Sequence, residues 1–202
     1  MDAVLYIHGK GGSADESGHY VPLFPSCAVT GLDYRADTPW EAGEEIRAAV
    51  LALGSRYDGV VLIANSIGAF YSLYADLDCL VREAYFISPV VDMEWLISGM
   101  MARAGVTEDE LRGAGEIRIP SGELLSWEYL SFVRSRPVLW HVPTRILYGG
   151  RDLLTSRETV EAFAERHGAS LTVMEEGEHW FHTEEQMAFL DAWIRSGTAD
   201  RF

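Results

Sequence analysis

Six short apolar segments alternate with helical segments along the 202 residues, and this alternation restricts the possible folds more than any other feature. Val, Ile, Leu and Tyr occupy nearly every position of these segments, which indicates strands buried on both faces. The segments are Ala3–His8, Cys27–Tyr34, Val60–Asn65, Glu83–Val90, Arg145–Tyr148 and Ser170–Met174. Strands that alternate with helices form βαβ units with right-handed crossovers. The sequence therefore predicts the α/β class, as a three-layer α/β/α domain whose mainly parallel sheet has about six strands.

Three of the helices have recognisable starts. Thr38-Pro39-Trp40-Glu41 combines a capping box with a proline at the first helical position. The capping-box pattern recurs in Thr155-Ser156-Arg157-Glu158 and in Thr183-Glu184-Glu185-Gln186. In the last helix the apolar positions fall on one face at helical spacing, namely Met187, Leu190 and Ile194, with Phe189 and Trp193 beside them.

One segment interrupts the alternation. From Asp92 to about Pro143 the pattern predicts two helical pieces, Thr107–Arg112 and Ser126–Ser135, joined by loops without a strand. Such a stretch is too long for an ordinary connection, so we expect a small helical cap or lid, residues 92–143, inserted into a single domain of residues 1–202. Its apolar side chains either pack the insertion onto the domain or line an apolar pocket. They include Trp95, Leu96, Ile97, Met100, Met101, Leu124, Leu125, Trp127, Tyr129 and Phe132.

Charge and composition exclude several classes of partner. The formal charge of −15 argues against binding to nucleic acid or to an anionic membrane, because both require a basic surface. No apolar stretch approaches the ~20 residues of a membrane span. The chain enters its first strand without a basic region or cleavage site, so we expect a cytoplasmic protein in which Cys27 and Cys79 stay reduced. The sequence leaves the oligomeric state open.

The segment that carries chemistry runs from Gly59 to Ala69. An apolar, β-branched run ends in Ala64-Asn65-Ser66-Ile67-Gly68, and a helical pattern begins at once. This is the strand–turn–helix context of a nucleophile elbow, in which small neighbours allow a tight turn that presents the serine hydroxyl. The alternative is that Ser66 only caps the helix that follows it.

A serine hydroxyl needs a base within hydrogen-bond reach and a group that orients the base. His179 follows the last predicted strand, and Asp152 follows the strand before it. Both lie in loops that can approach Ser66, so we predict His179 as the base and Asp152 as its acid. Asp92 is the alternative acid and His182 the alternative base.

The turn after the first strand, His8-Gly9-Lys10-Gly11-Gly12, can bring main-chain N–H groups to a developing oxyanion. We predict the Lys10 N–H as one oxyanion donor and the Ile67 N–H, at a helix N-terminus, as the other. His8 is expected to be structural. The remaining histidines show no metal-ligand spacing, so no metal or organic cofactor is predicted.

Taken together, these motifs resemble those of the α/β-hydrolase fold family over almost the whole chain. The matching features are the glycine-rich turn at His8, the Ser66 elbow, the Gly149-Gly150-Arg151-Asp152 turn and the Gly177-Glu178-His179 turn, in the family's order. Ala64 stands where the family more often has glycine. The resemblance implies a cap inserted after the strand that ends near Val90, and a short sheet that starts at the family's third strand.

The expected function is that of a serine hydrolase that cleaves a small-molecule carboxylic ester or thioester through an acyl-enzyme intermediate. Two alternatives remain at this point. A catalytically silent protein of this fold could bind a ligand or a protein partner, because fold does not fix function. The same three side chains could also serve a lyase or a perhydrolase.

Overall fold

The computed structural model describes residues 1–198, which form two compact units. One unit comprises Met1–Val91 together with residues 139–198, and the other comprises Asp92–Val138. In chain order the strands are β1 (Ala3–Ile7), β2 (Ala28–Leu32), β3 (Val60–Asn65), β4 (Glu83–Ile87), β5 (Glu116–Arg118), β6 (Leu124–Ser126), β7 (Thr144–Gly149) and β8 (Ser170–Met174).

The helices are α1 (Pro39–Gly54), α2 (Ile67–Leu73), α3 (Met93–Ala104), α4 (Glu108–Ala114), α5 (Trp127–Ser135), α6 (Arg157–His167) and α7 (Glu184–Thr198), and a 3₁₀ segment spans Ala14–Leu23. Thr38 caps α1 as predicted, since its side chain accepts a hydrogen bond from the Glu41 amide. For α6 the predicted cap is one residue early, because Ser156 rather than Thr155 accepts the Thr159 amide. Within residues 1–198, no helix is both long and apolar enough to cross a bilayer.

The larger unit contains a six-stranded sheet in the order β2-β1-β3-β4-β7-β8, and every neighbouring pair is parallel. This confirms the predicted α/β class and the number of strands. Each strand lies within a few residues of its predicted segment. The central strands β1 and β3 are paired from Ala3↔Val60 to Ile7↔Ala64, and these residues are all at most 2% exposed, as expected for strands covered on both faces.

Alternating strand residues face the two sides of the sheet. One layer is a cluster in which Val4, Tyr6 and Val61 pack with the 3₁₀ segment and with Leu190, Trp193 and Ile194 of α7. On the other side α1 contacts β1 and β3, and α6 contacts β7 and β8. The predicted three-layer arrangement is therefore present, and it leaves the carboxyl ends of the strands at one edge of the sheet.

The smaller unit, Asp92–Val138, contains α3, α4, the antiparallel pair β5–β6 and α5. Arg134 of α5 binds Glu94 of α3 at 2.7 Å and Glu108 at the start of α4 at 2.6 Å, so one guanidinium group joins the three helices. The prediction of a stretch without strands is wrong. Each strand of the hairpin is only three residues long, which is too short to show the alternating pattern that identifies a strand in sequence.

Candidate active site

The predicted site residues follow four parallel strands at the same edge of the sheet. Lys10 comes after β1, Ser66 directly after β3, Asp152 after β7 and His179 after β8. In open α/β sheets, ligands bind in the crevice outside the carboxyl ends of the strands. The topology therefore collects residues that are up to 169 positions apart in the chain (179 − 10) into one region of the larger unit.

Ser66 occupies a strained turn between β3 and α2. Its backbone has φ 52° and ψ −119°, a conformation that a residue with a side chain rarely adopts. Two main-chain hydrogen bonds to the end of β4 hold it there: the Ser66 amide donates to the Ile87 carbonyl at 3.0 Å, and the Val90 amide donates to the Ser66 carbonyl at 3.1 Å. The neighbouring strand thus stabilises a conformation that Ser66 would not keep by itself.

Three side chains form a continuous line of hydrogen bonds. Ser66 Oγ lies 2.8 Å from His179 Nε2, and His179 Nδ1 lies 2.7 Å from Asp152 Oδ2. Since a carboxylate can only accept hydrogen bonds, this contact assigns the proton of the neutral imidazole to Nδ1. Nε2 is then free to accept the Ser66 hydroxyl proton. Within residues 1–198 the Ser66 side chain makes no capping hydrogen bond to α2, and its hydroxyl is hydrogen-bonded to His179 instead.

Asp152 is held from two sides. Oδ1 accepts the Leu154 amide at 2.7 Å and the Thr155 amide at 3.3 Å, which leaves Oδ2 directed at His179. The Asp152 side chain is 0% exposed, whereas that of His179 is 20% exposed. Asp152 therefore both caps its own turn and orients the imidazole, and its burial fixes the direction of the carboxylate.

The alternative acid and base make different contacts. Asp92 caps α3, since its carboxylate accepts the Trp95 amide at 2.8 Å. His182 Nδ1 lies 2.7 Å from the Trp180 carbonyl, and the His182 ring stacks on the Trp180 ring. The structure thus brings Asp152 and His179 to Ser66, while Asp92 and His182 take part in local structure.

The loops that carry Asp152 and His179 continue the pairing of β7 with β8 beyond the strands. The Gly150 amide donates to the Met174 carbonyl, and the Arg151 amide donates to the Gly177 carbonyl, each at 2.8 Å. The side chains of Arg151 and Glu176 form an ion pair across the same two loops. A Cβ at Gly149 would lie 2.4 Å from the Glu178 carbonyl oxygen, so the two loops approach each other too closely for residue 149 to carry a side chain.

Replacing Gly149 by alanine is expected to lengthen the contact between His179 and Ser66 and to lower the thermal midpoint, because the new methyl group displaces the Glu178 carbonyl and with it the adjacent His179. The measurement is the crystal structure of the variant, beside its thermal midpoint. Gly54→Ala is the matched control, since a Cβ there meets nothing within 4 Å. An unchanged distance between Ser66 Oγ and His179 Nε2 in Gly149→Ala would mean that the loop contact does not position His179.

The predicted oxyanion donors also lie next to Ser66. The Gly12 amide donates to the Gly9 carbonyl at 3.1 Å, which closes the turn around Lys10. Gly9 packs so closely on the elbow that a Cβ there would lie 3.2 Å from Ser66 Cβ. Ile67 is the first residue of α2, and the first N–H groups of a helix have no acceptor within the helix. The Ile67 N–H thus follows Ser66 directly in the chain, and the Lys10 N–H follows Gly9, the residue that packs on the elbow.

His8 has structural contacts, as expected from its position at the base of this turn. Its Nδ1 lies 2.8 Å from the Gly9 carbonyl, its ring stacks on Tyr34 at 4.3 Å, and its carbonyl accepts the Tyr34 hydroxyl. In the part of the chain that the structure describes, no three His, Cys, Asp or Glu side chains are grouped as metal ligands.

Sequence reasoning missed the part played by the end of β4. The contacts of Ser66 with Ile87 and Val90 are made by main-chain atoms, which every residue has, so no side-chain pattern could have revealed them. Ser88, between these two residues, also has a positive φ of 42° and is 0% exposed. The β4 end is therefore a second strained turn that packs against the first.

Comparisons with known proteins bear on this arrangement. No protein-family model matches the sequence, and no match is found among curated proteins. Among solved structures, Est1E from Butyrivibrio proteoclasticus superposes with a TM-score of 0.74 at 16% identity, over 98% of this chain and 87% of that one. The α/β-hydrolase domain-containing protein 10 from mouse gives a TM-score of 0.75 at 16% identity, over 98% and 90%. The chain has the α/β-hydrolase fold.

A proline iminopeptidase-related protein from Thermus thermophilus has the same α/β-hydrolase fold, with a TM-score of 0.63 at 18% identity over 98% of this chain and 89% of that one. Sequence identities this low show that the fold is shared, but they do not show that the chemistry is shared. In this chain, the observations that bear on function are therefore the contacts of Ser66, His179 and Asp152 themselves.

Proposed function

We propose that the chain is a serine hydrolase that cleaves a carboxylic ester or thioester. The observation that carries this proposal is the line of hydrogen bonds from Ser66 Oγ through His179 to Asp152, with contacts of 2.8 and 2.7 Å. A nucleophile, a base and an orienting acid are the three groups that acyl transfer by serine requires.

The strained backbone of Ser66 supports the same conclusion. A non-glycine residue in a sparsely populated conformation costs on the order of 1–3 kcal/mol and persists only where the surrounding structure enforces it. Here the β4 end enforces it, and the result is a hydroxyl that points away from its own helix and toward an imidazole. Such outliers cluster at functional sites, where the strain keeps a reactive group in place.

In the proposed acylation step, Ser66 Oγ attacks the carbonyl carbon while His179 Nε2 takes the hydroxyl proton. Asp152 stabilises the imidazolium that forms, and its buried carboxylate is already in place to do so. The N–H groups of Lys10 and Ile67 bind the tetrahedral oxyanion. As this intermediate collapses, His179 gives the proton to the leaving oxygen or sulfur, and the acyl group stays on Ser66.

In the proposed deacylation step, His179 acts on water. Nε2 removes a proton from a water molecule that attacks the acyl carbon, and the same two N–H groups bind the second oxyanion. The proton then returns to Ser66 Oγ as the carboxylic acid leaves. Each step uses groups that Asp152 and the strand ends hold in position.

The surroundings favour an apolar and uncharged substrate. Leu153 follows Asp152 and is 93% exposed, and Trp180 follows His179 and is 69% exposed, so large apolar side chains stand beside both the acid and the base. The net charge of −15 repels polyanionic substrates. Est1E, which shares the fold, has been solved with ferulic acid bound, so aryl esters belong among the substrates to be tested.

An activity-based probe tests the proposal directly. A fluorophosphonate should label Ser66 alone, as Oγ forms a bond to phosphorus and fluoride leaves; intact mass and peptide mapping measure this. Ser66→Ala should abolish labelling. The matched control is Ser88→Ala, because Ser88 is also a positive-φ serine after a strand but is fully buried. Labelling at another serine, or equal labelling of Ser66→Ala, would contradict the assignment.

A graded series of substrates distinguishes the remaining functions. p-Nitrophenyl esters of increasing acyl length, aryl esters and acyl-CoA thioesters should be hydrolysed by the wild type and not by Ser66→Ala. A chain that fails to react with the probe and the whole series but binds one of these compounds would be a silent binding protein instead. Labelling without hydrolysis would favour a lyase or perhydrolase reaction at the same serine.

A further inference from the structure

The glycine-rich turn that carries Lys10 is held at both ends. At its start, Gly9 packs against Ser66, as described above. At its end, Gly12 packs against Glu16, since a Cβ at Gly12 would lie 2.6 Å from Glu16 Oε1. The carboxylate of Glu16 therefore occupies the space that a side chain at residue 12 would need.

Glu16 connects this end of the turn to the sheet. Its Oε1 accepts the Ser13 amide at 3.3 Å, in a capping box at the start of the 3₁₀ segment. Its Oε2 accepts the hydroxyl of Tyr6, a β1 residue that is 2% exposed. One carboxylate thus joins the strand before the turn to the segment after it.

Tyr6 also links this contact to the elbow. The Asn65 side chain, directly before Ser66, interacts with the same Tyr6 hydroxyl. Burial, then neighbouring Tyr20 and the hydrogen bond to Glu16, raise the pKa of Tyr6 well above its usual range. Tyr6 therefore remains protonated and continues to donate to Glu16 at any pH at which an ester hydrolase would be assayed.

We infer that Glu16 is a positioning residue for oxyanion binding: through Tyr6 and the Ser13 amide it sets the distance between the Lys10 N–H and the carbonyl that Ser66 attacks. This inference depends on the proposed hydrolase function. Glu16 does not touch the reacting atoms, and its effect reaches them through the turn it closes. Displacing an oxyanion donor weakens binding of the transition state more than binding of the substrate, so the effect should fall on kcat.

The test compares three variants with a matched control. Glu16→Ala is expected to lower kcat by about 10- to 100-fold with KM changed less than threefold, since a small displacement of a donor costs part of the ~10²–10³-fold that its removal costs. Glu16→Gln should fall between Glu16→Ala and the wild type, because an NH₂ group replaces one of the two carboxylate oxygens, so that either the Tyr6 hydroxyl or the Ser13 amide loses its acceptor. Tyr6→Phe removes only one hydroxyl and should lower kcat by about 10-fold.

Glu41→Ala is the control, because Glu41 stands at the same capping-box position of α1 and its hydrogen bonds are to Thr38. It should lower the thermal midpoint about as much as Glu16→Ala and leave kcat within about twofold. If Glu16→Ala and Tyr6→Phe lose only stability and keep kcat, Glu16 is merely a cap and the inference is wrong. Tyr6→Phe keeps the buried ring, so it tests the same contact should Glu16→Ala fail to fold.

The two proposals fail in different ways. A wild-type protein that neither reacts with a fluorophosphonate nor hydrolyses any ester would overturn the proposed function. An active wild type with unchanged kcat in the Glu16 and Tyr6 variants would overturn only the positioning role. A double variant, Glu16→Ala with Tyr6→Phe, should lose little more than Glu16→Ala alone, because Glu16→Ala already breaks the Tyr6 contact that Tyr6→Phe removes.

Discussion

Replacing Ser66 by alanine is expected to lower the rate of ester hydrolysis by on the order of 10⁴-fold or more, while the chain still folds. The hydroxyl is the proposed nucleophile, so its loss removes the covalent pathway and leaves only the oxyanion donors and substrate binding. The folded state should survive, because the backbone of residue 66 is held by main-chain bonds to Ile87 and Val90. The measurement is kcat/KM on the best ester of the graded series.

Circular dichroism and the thermal midpoint provide the control for folding. A trace of contaminating esterase would mimic residual activity, so the Ser66→Ala protein should be titrated with the fluorophosphonate before the assay. Activity that persists undiminished in a preparation free of reactive serine would show that Ser66 is not the nucleophile.

Asp152→Asn should produce the second large loss, on the order of 10⁴-fold in kcat. An asparagine can present its NH₂ group to His179, which forces the imidazole toward the tautomer whose Nε2 carries the proton and cannot accept the Ser66 proton. The substitution preserves size, and the side-chain carbonyl can still accept the Leu154 amide that Asp152 Oδ1 accepts at 2.7 Å. The loss should therefore appear in turnover and in the rate of fluorophosphonate labelling rather than in stability.

Asp92→Asn is the matched control for this variant. Asp92 caps α3 through the Trp95 amide, and asparagine caps helices about as well as aspartate does. Its activity should stay within about twofold of the wild type. If Asp92→Asn loses turnover and Asp152→Asn does not, the acid has been assigned to the wrong strand end.

The sheet could be predicted from sequence because its strands are buried on both faces. In β3 every residue from Val60 to Ala64 is fully buried, so hydrophobicity is continuous, and the strand ends at Asn65, directly before the turn at Ser66. Predicted strand ends are less accurate: the segment predicted to end at Val90 stops as a strand at Ile87. Val90 is 3% exposed, and a buried turn residue looks like a strand residue in sequence.

The proximity of Ser66, Asp152 and His179 could be predicted because each follows a strand, and the carboxyl ends of parallel strands lie at one edge of the sheet. The sequence could not reveal which contacts hold these three residues in position. The contacts that strain Ser66 and those that join the Asp152 and His179 loops are between main-chain atoms. The experiments above test the catalytic roles proposed for Ser66, His179 and Asp152. They also test the oxyanion-binding roles proposed for Lys10 and Ile67.

The smaller unit was harder to predict. Helix α3, Met93–Ala104, lies outside the two helical pieces predicted for this segment; Asp92 is a good cap, but Ser98 and Gly99 interrupt the apolar pattern that follows it. In the larger unit, the 3₁₀ segment Ala14–Leu23 is likewise not evident from sequence, since Gly18 and Pro22 are typical of turns.

The pairing that continues from β7 and β8 into their loops limits how the chain can change in length there. A residue inserted between Gly149 and Asp152, or between Met174 and His179, would shift one loop against the other and carry the carboxylate away from the imidazole. Elsewhere on the surface, insertions in loops are usually tolerated. In these two loops, the number of residues between the strand end and the side chain is fixed. It is as strict a requirement of the site as the identity of Asp152 or His179.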